Sequence, residues 1–104
     1  MELSKIKNYL KIDDDITEDD DLIIVLQKSA IEFAESTTNK QYSDEDNLYS
    51  LLVLQLINHW YNNRILQNIK PGAMSEIPFT VQALINHIAI SSKFKDIVGS
   101  AFYD

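Results

Sequence analysis

Cysteine is absent from this 104-residue chain. That removes disulfide staples, thiolate zinc sites and a cysteine nucleophile together. Glycine and proline number two each, too few for a sandwich or barrel that turns every roughly 8–12 residues. Basic residues are scarce: 9 Lys+Arg stand against 16 Asp+Glu, a formal net charge of −7. A protein that grips phosphate backbones needs the opposite balance. Long apolar runs are missing too. Leu51-Leu52-Val53-Leu54 continues through Gln55 to Leu56-Ile57 before Asn58 and His59 stop it, well short of the about 20 residues a membrane span requires. The opening MELSKIKNYL is amphipathic and charged, without the apolar centre of a signal peptide. A soluble protein with no membrane partner is expected.

What is present fits a small globule: 45% of the residues are apolar, too many for a disordered acidic chain. The charge is local. Asp13-Asp14-Asp15-Ile16-Thr17-Glu18-Asp19-Asp20-Asp21 holds seven acids and no base, and the rest of the chain balances at 9 acids and 9 bases.

Apolar spacing predicts an all-α fold of four helices, with a domain over residues 1–90 and a tail over 91–104. The first helix, residues 3–11, places Leu3, Ile6 and Leu10 on one face and Lys5, Lys7 and Lys11 around the other. The second is expected to begin at Thr17, whose hydroxyl would cap it, with Asp20 as a short-armed partner in a capping box. Its acidic first turn suits the helix dipole. Leu22, Val25, Leu26, Ser29, Ala30, Phe33 and Thr37 form its expected buried stripe, and Thr37-Thr38-Asn39 its end. The third, about residues 44–67, starts on the Ser43-Asp44-Glu45-Asp46 signal and spans ~35 Å. It is apolar nearly all round, hence central, and Leu52, Leu56 and Trp60 are its core. A loop over 68–78 precedes the fourth helix, residues 79–91, with Val81, Leu84, Ile85 and Ile88 inward.

Chemistry finds little support. A calcium loop starting at Asp13 would use Asp13, Asp15 and Thr17, but Glu18 stands where the turn glycine belongs and Ile24 where the bidentate Glu belongs. His59 and His87 lie on different helices and read as helix-flank residues. No phosphate loop and no nucleophile elbow is present, so no catalytic residue, cofactor or metal is expected. Trp60 and Tyr61, with Phe33, Phe79 and Phe94, read most simply as core, although Trp60 or Tyr61 could anchor an interface. Arg64 complements the dipole at a helix end or reaches a partner. The tail, with Phe94, Ile97, Val98, Phe102 and Tyr103, either folds back or orders against a neighbouring subunit, where Lys93 and Lys95 could meet an acidic run.

The order of features resembles a known family. It runs from Lys7-Asn8-Tyr9-Leu10-Lys11-Ile12 through the break Asp13-Asp14-Asp15 and Glu18-Asp19-Asp20-Asp21-Leu22. A helix with Ala30 and Ala34 follows, then a long apolar helix closing on Tyr61-Asn62-Asn63-Arg64. Last comes Glu76-Ile77-Pro78 before a helix with Val81, Leu84 and Ile85. Over about residues 1–90 this is similar to the head–tail connector proteins of tailed bacteriophages, also described as head-completion or DNA-packaging adaptors and common in prophages. The resemblance implies a non-enzymatic helical subunit that forms a homo-oligomeric ring below the portal protein. That ring would extend the DNA channel, help retain packaged DNA and meet a stopper or tail-completion protein, with DNA as non-specific cargo. It places the chain at the virion's head–tail interface after assembly in the bacterial cytoplasm.

The acids could then line a channel from which DNA is repelled, or cap the second helix and serve a subunit interface. Their place at a helix start favours the second. Asp13, Asp14, Asp15, Asp19, Tyr61, Arg64, Lys93 and Lys95 are the expected subunit or portal contacts. A rival class is an acidic binding protein, such as a DNA mimic that occupies a basic groove on a host protein. It would need acids spread over a surface, whereas here they are gathered in one segment.

Overall fold

The computed structural model describes residues 1–63 and 78–97. Among these residues four helices form: α1 (Leu3–Leu10), α2 (Asp20–Thr38), α3 (Asn47–Asn62) and α4 (Phe79–Ile90). No strand occurs among the described residues. α3 is central, packing on α2 and α4 and touching α1. Ser50, Leu52, Val53, Leu54, Leu56, Ile57 and Trp60 are all buried along it, as an uninterrupted apolar helix requires.

The helix ends depart from the sequence expectation, each for a local reason. α1 stops when Lys11 turns left-handed (φ 64°) and the Ile12 amide reaches back to the Lys7 carbonyl at 2.8 Å, a closure that satisfies an orphan acceptor. α2 starts at Asp20 rather than Thr17. Thr17 supplies only a backbone carbonyl to the Asp20 amide (3.3 Å), and Asp19 occupies the N-cap without a side-chain cap bond. Its carboxylate is engaged elsewhere, by Tyr61. α2 ends at Asn39 (φ 59°), whose amide donates to the Glu35 carbonyl. Asn tolerates that left-handed geometry better than most residues.

α3 begins at Asn47, not 44, because the side chains of the expected cap are spent on turns and long-range contacts. Ser43 Oγ accepts the Glu45 amide at 3.3 Å, and Asp44 is drawn to the Met1 amine at 2.9 Å. α3 ends at Asn62 rather than 67. Asn62 and Asn63 there turn their side-chain amides onto the carbonyls of Asn58 (2.9 Å) and His59 (2.7 Å), which compete with helix continuation.

The buried face of α2 is rotated by one residue from the expected stripe. Ile23, Leu26, Ala30, Ala34 and Thr38 are buried. Val25 is 58% exposed, and Ser29 and Thr37 face outward. Two alanines, Ala30 and Ala34, lie on this inner line. Leu22, Phe33 and Leu84 are half-buried against the core, and Phe33 meets Trp60 edge to face at 5.7 Å. Phe79, expected with the core aromatics, is instead 84% exposed: α4 turns Val81, Ile85 and Ile88 inward, which leaves its first residue outside.

The segment after α4 is docked as far as Ile97. Phe94 is buried edge-on to Tyr49 at 5.9 Å. The Gln41 amide donates to Lys95 O (2.7 Å) and the Ile97 amide to Asn39 O (3.2 Å), around a bridge between Lys40 and Asp96. The Val98, Phe102 and Tyr103 of the expected tail lie outside the described residues, as does the loop over 68–77.

Two substitutions test the rotated face by denaturant titration. Ile23→Ala, on the buried line of α2, should cost about 2–5 kcal/mol, whereas Val25→Ala should stay within ~0.5 kcal/mol. A large loss at Val25 would restore the original stripe.

Candidate functional site

The acidic end is organised by a lysine. Lys7 lies four residues after Leu3 and three before Leu10, so it shares their face of α1. It is buried rather than solvated with Lys5 and Lys11, which corrects its expected place. Its Nζ donates to the carbonyls of Asp14 (3.1 Å) and Ile16 (2.6 Å) and forms an ion pair with Asp20 Oδ1 at 2.9 Å. The last contact is one of charge alone, since Asp20 Oδ1 is buried without an aligned hydrogen bond. Two backbone oxygens accept hydrogen bonds from the ammonium, and a carboxylate balances its charge.

Because the carbonyls between α1 and α2 turn in toward Lys7, the side chains there turn out. Asp13, Asp14, Asp15, Glu18 and Asp21 are exposed, and Asp19 and Asp20 half-buried. Asp19 Oδ2 accepts from the Tyr61 hydroxyl at 2.6 Å, tying the end of α3 to the start of α2. Two residues singled out from the sequence for a partner are thus brought together within one chain.

A second polar cluster lies at the opposite end of α2, about 28 Å away along its 19 residues. The Tyr49 hydroxyl donates to Lys40 O at 2.7 Å and lies 3.2 Å from Thr38 Oγ1. The Tyr42 amide donates to Glu35 Oε2 at 2.9 Å. Burial pushes the Tyr42 phenol up to about 12, helped by its hydrogen bond to Asp44, and burial raises Tyr49 also. Bonds from Tyr42 and the Met1 amine hold Asp44 below the usual carboxylate range.

Lys93 and Lys95 belong to this end, beside Gln41, Tyr42, Glu45 and Asp46 along a groove. Both are exposed. They therefore stand far from Asp13–Asp15 within one chain. Arg64 lies outside the described residues. Sequence reasoning missed Lys7, Tyr49 and Asp44. Only Lys7 left a signal, the 3-7-10 spacing that sets it among apolar neighbours.

Among the described residues no three His, Asp or Glu side chains gather to hold a metal ion, and no helix there is long and apolar enough to cross a membrane. Lys7, Asp19, Tyr49 and Asp44 at the two ends are engaged in shaping the body of this small helical unit. The family model for phage gp6-like head-tail connector proteins matches residues 1–88, and the chain belongs to that family. It is a structural connector of the phage head–tail interface. No curated protein and no solved structure matches the chain.

Removing the ammonium with Lys7→Met should destabilise the fold by about 3–5 kcal/mol, since Asp20 and two inward carbonyls lose their partner. Asp13→Asn should be nearly silent in the same denaturant titration. Equal effects would remove Lys7 as the organiser.

The phenols set an alkaline limit. Unfolded tyrosine ionises near 10, whereas folded Tyr42 holds its proton to about 12. Stability should thus be flat below pH 10 from this source and fall between 10 and 12. Tyr42→Phe should flatten that fall, and phenolate absorbance should report one late-titrating group fewer. For Asp44 the sign is opposite: its contribution is present above its ordinary value of 3.8 and is lost as pH falls below it.

Proposed function

We propose that the chain assembles as a homo-oligomeric ring below the portal protein, extends the DNA channel, helps retain packaged DNA, and meets a stopper or tail-completion protein on its other side. The observation that carries this reading is the family match, which spans residues 1–88 and so takes in all but the last two residues of α4. The charge supports the DNA part. A chain of net charge −7 passes DNA along a channel without binding it, because like charge keeps the phosphates from sticking. Assembly takes place in the host cytoplasm, and DNA is cargo rather than a ligand.

The two ends of α2 suit contacts to different neighbours in the stack. Asp13, Asp14, Asp15 and Asp19 with Tyr61 stand at one end and Lys93 and Lys95 at the other. Arg64 joins the set by its sequence position.

Heads built without this chain should hold their DNA poorly and expose it to added nuclease, and purified chain should restore protection. Heads that stay protected without it would overturn the retention role. Asp13→Asn, Asp14→Asn and Asp15→Asn combined should leave the circular dichroism unchanged yet lower the yield of chain-bearing portal complexes at least about tenfold, since rim charge governs encounter more than folding. An unchanged yield would remove the acidic end from the contact.

A further inference from the structure

Charge is divided unevenly among the helices. No Asp, Glu, Lys or Arg occurs from Asn47 to Asn63, which contains all of α3, or from Pro78 to Ser92, which contains all of α4. Absence of charge is unremarkable on the hidden faces of α3. It is unusual on an outer face, where a solvated helix normally carries charge.

α4 has such an outer face. Phe79 and Ile90, at its two ends, are each 84% exposed, and Gln82, Ala83, Asn86 and His87 are exposed between them. α3 has another: Leu48 and Leu51 are exposed, and Asn58 and Asn62 continue the same line. On that line Gln55 keeps a buried Oε1 with no hydrogen-bond partner among the described residues. Exposed aromatic and aliphatic groups set among amides, with charge depleted, have the composition of a protein–protein contact.

The charge pattern also selects the occupant. Copies of this chain each carry −7 and oppose like charge when they meet through the acidic segment or α2. Through α3 and α4 they meet neutral surface on neutral surface, and that difference favours this pair of faces. Ring closure further requires two different surfaces, one on each side of the subunit. Two uncharged outer helix faces of comparable length are available, about 18 Å for α4 and about 24 Å for α3.

We infer that the outer face of α4 in one subunit packs on the Leu48–Leu51–Asn58 line of α3 in the next, with the two ends of α2 left free on opposite rims. This rests on the ring reading above and names the surfaces that would close it.

The cysteine-free sequence makes the test clean. Leu51→Cys, Gln55→Cys and Asn58→Cys are each combined with Asn86→Cys in one chain, assembled on portal and treated with a short bis-maleimide. At least one pair should give a ladder of covalent oligomers beyond the dimer, while each single variant stays monomeric on a denaturing gel. A closed oligomer of the unaltered chain by native mass spectrometry, with no ladder from any pair, would overturn the α3–α4 contact and leave the ring standing. Efficient dimerisation of the single Asn86→Cys chain would overturn it in favour of α4 on α4. A thiol at position 86 that fails to react in the free monomer would overturn it by showing the face already covered within the chain. An unaltered chain that forms no oligomer, alone or on portal, would take down the ring reading itself.

Discussion

Lys7 occupies a position in α1 that its neighbours Leu3, Ile6 and Leu10 would assign to a hydrocarbon side chain, and its ammonium is buried. A buried charge must be answered by oxygen or it costs several kcal/mol. The oxygens come from Asp14, Ile16 and Asp20, all in the segment that follows α1 or the first turn of α2. That requirement bends the connection around the end of α1, turns its carbonyls inward and its carboxylates outward, and delays α2 until Asp20. The acidic end of the molecule is therefore shaped from beneath, by a single base, rather than by repulsion among its acids.

The opposite end is held differently, by neutral hydroxyls and backbone. Thr38, Tyr49 and Lys40 O form one connected group, Phe94 meets Tyr49 edge to face, and the bridge between Lys40 and Asp96 brings the chain after α4 back across the end of α2. Polar interactions thus fix the two ends, while α3, apolar along its length, fixes the middle. This division leaves the flanks formed by α3 and α4 free of charge and the ends rich in it. A connector, which stands between different neighbours above and below and copies of itself at the sides, has use for both kinds of surface.

Much of the fold was legible in residue order. The four helices follow from apolar spacing, and the centrality of α3 follows from Leu51–Ile57 being apolar on nearly every side. The end of α2 falls at the expected Thr37-Thr38-Asn39, and the localisation of charge follows from counting. The resemblance carried by Lys7–Ile12, Tyr61–Arg64 and Ile77-Pro78 pointed to the family that the match over residues 1–88 establishes. The organisation of the site was less legible. Thr17 carries a sound cap signal, yet the helix begins at Asp20, and Asp19 before it turns its carboxylate to Tyr61 from 42 residues away. A short polar side chain has several partners of similar worth, and local spacing cannot rank a backbone amide against a distant hydroxyl.

The sequence by itself determined the class of fold, the four helices of the described residues, their central member and the place of the net charge. These depend on periodicity and composition, which are properties of neighbouring residues. Only the tertiary structure decided which line of α2 faces inward, that Lys7 is inside and Phe79 outside, and that the chain after α4 closes over Tyr49. Each of these is an angle or a contact set by two or more packed elements at once. The two lines share Leu26 and Ala30, and a stripe through Leu22, Phe33 and Thr37 differs from one through Ile23, Ala34 and Thr38 by a single residue on an isolated helix. They are separated only when α3 and α4 pack against one side of it.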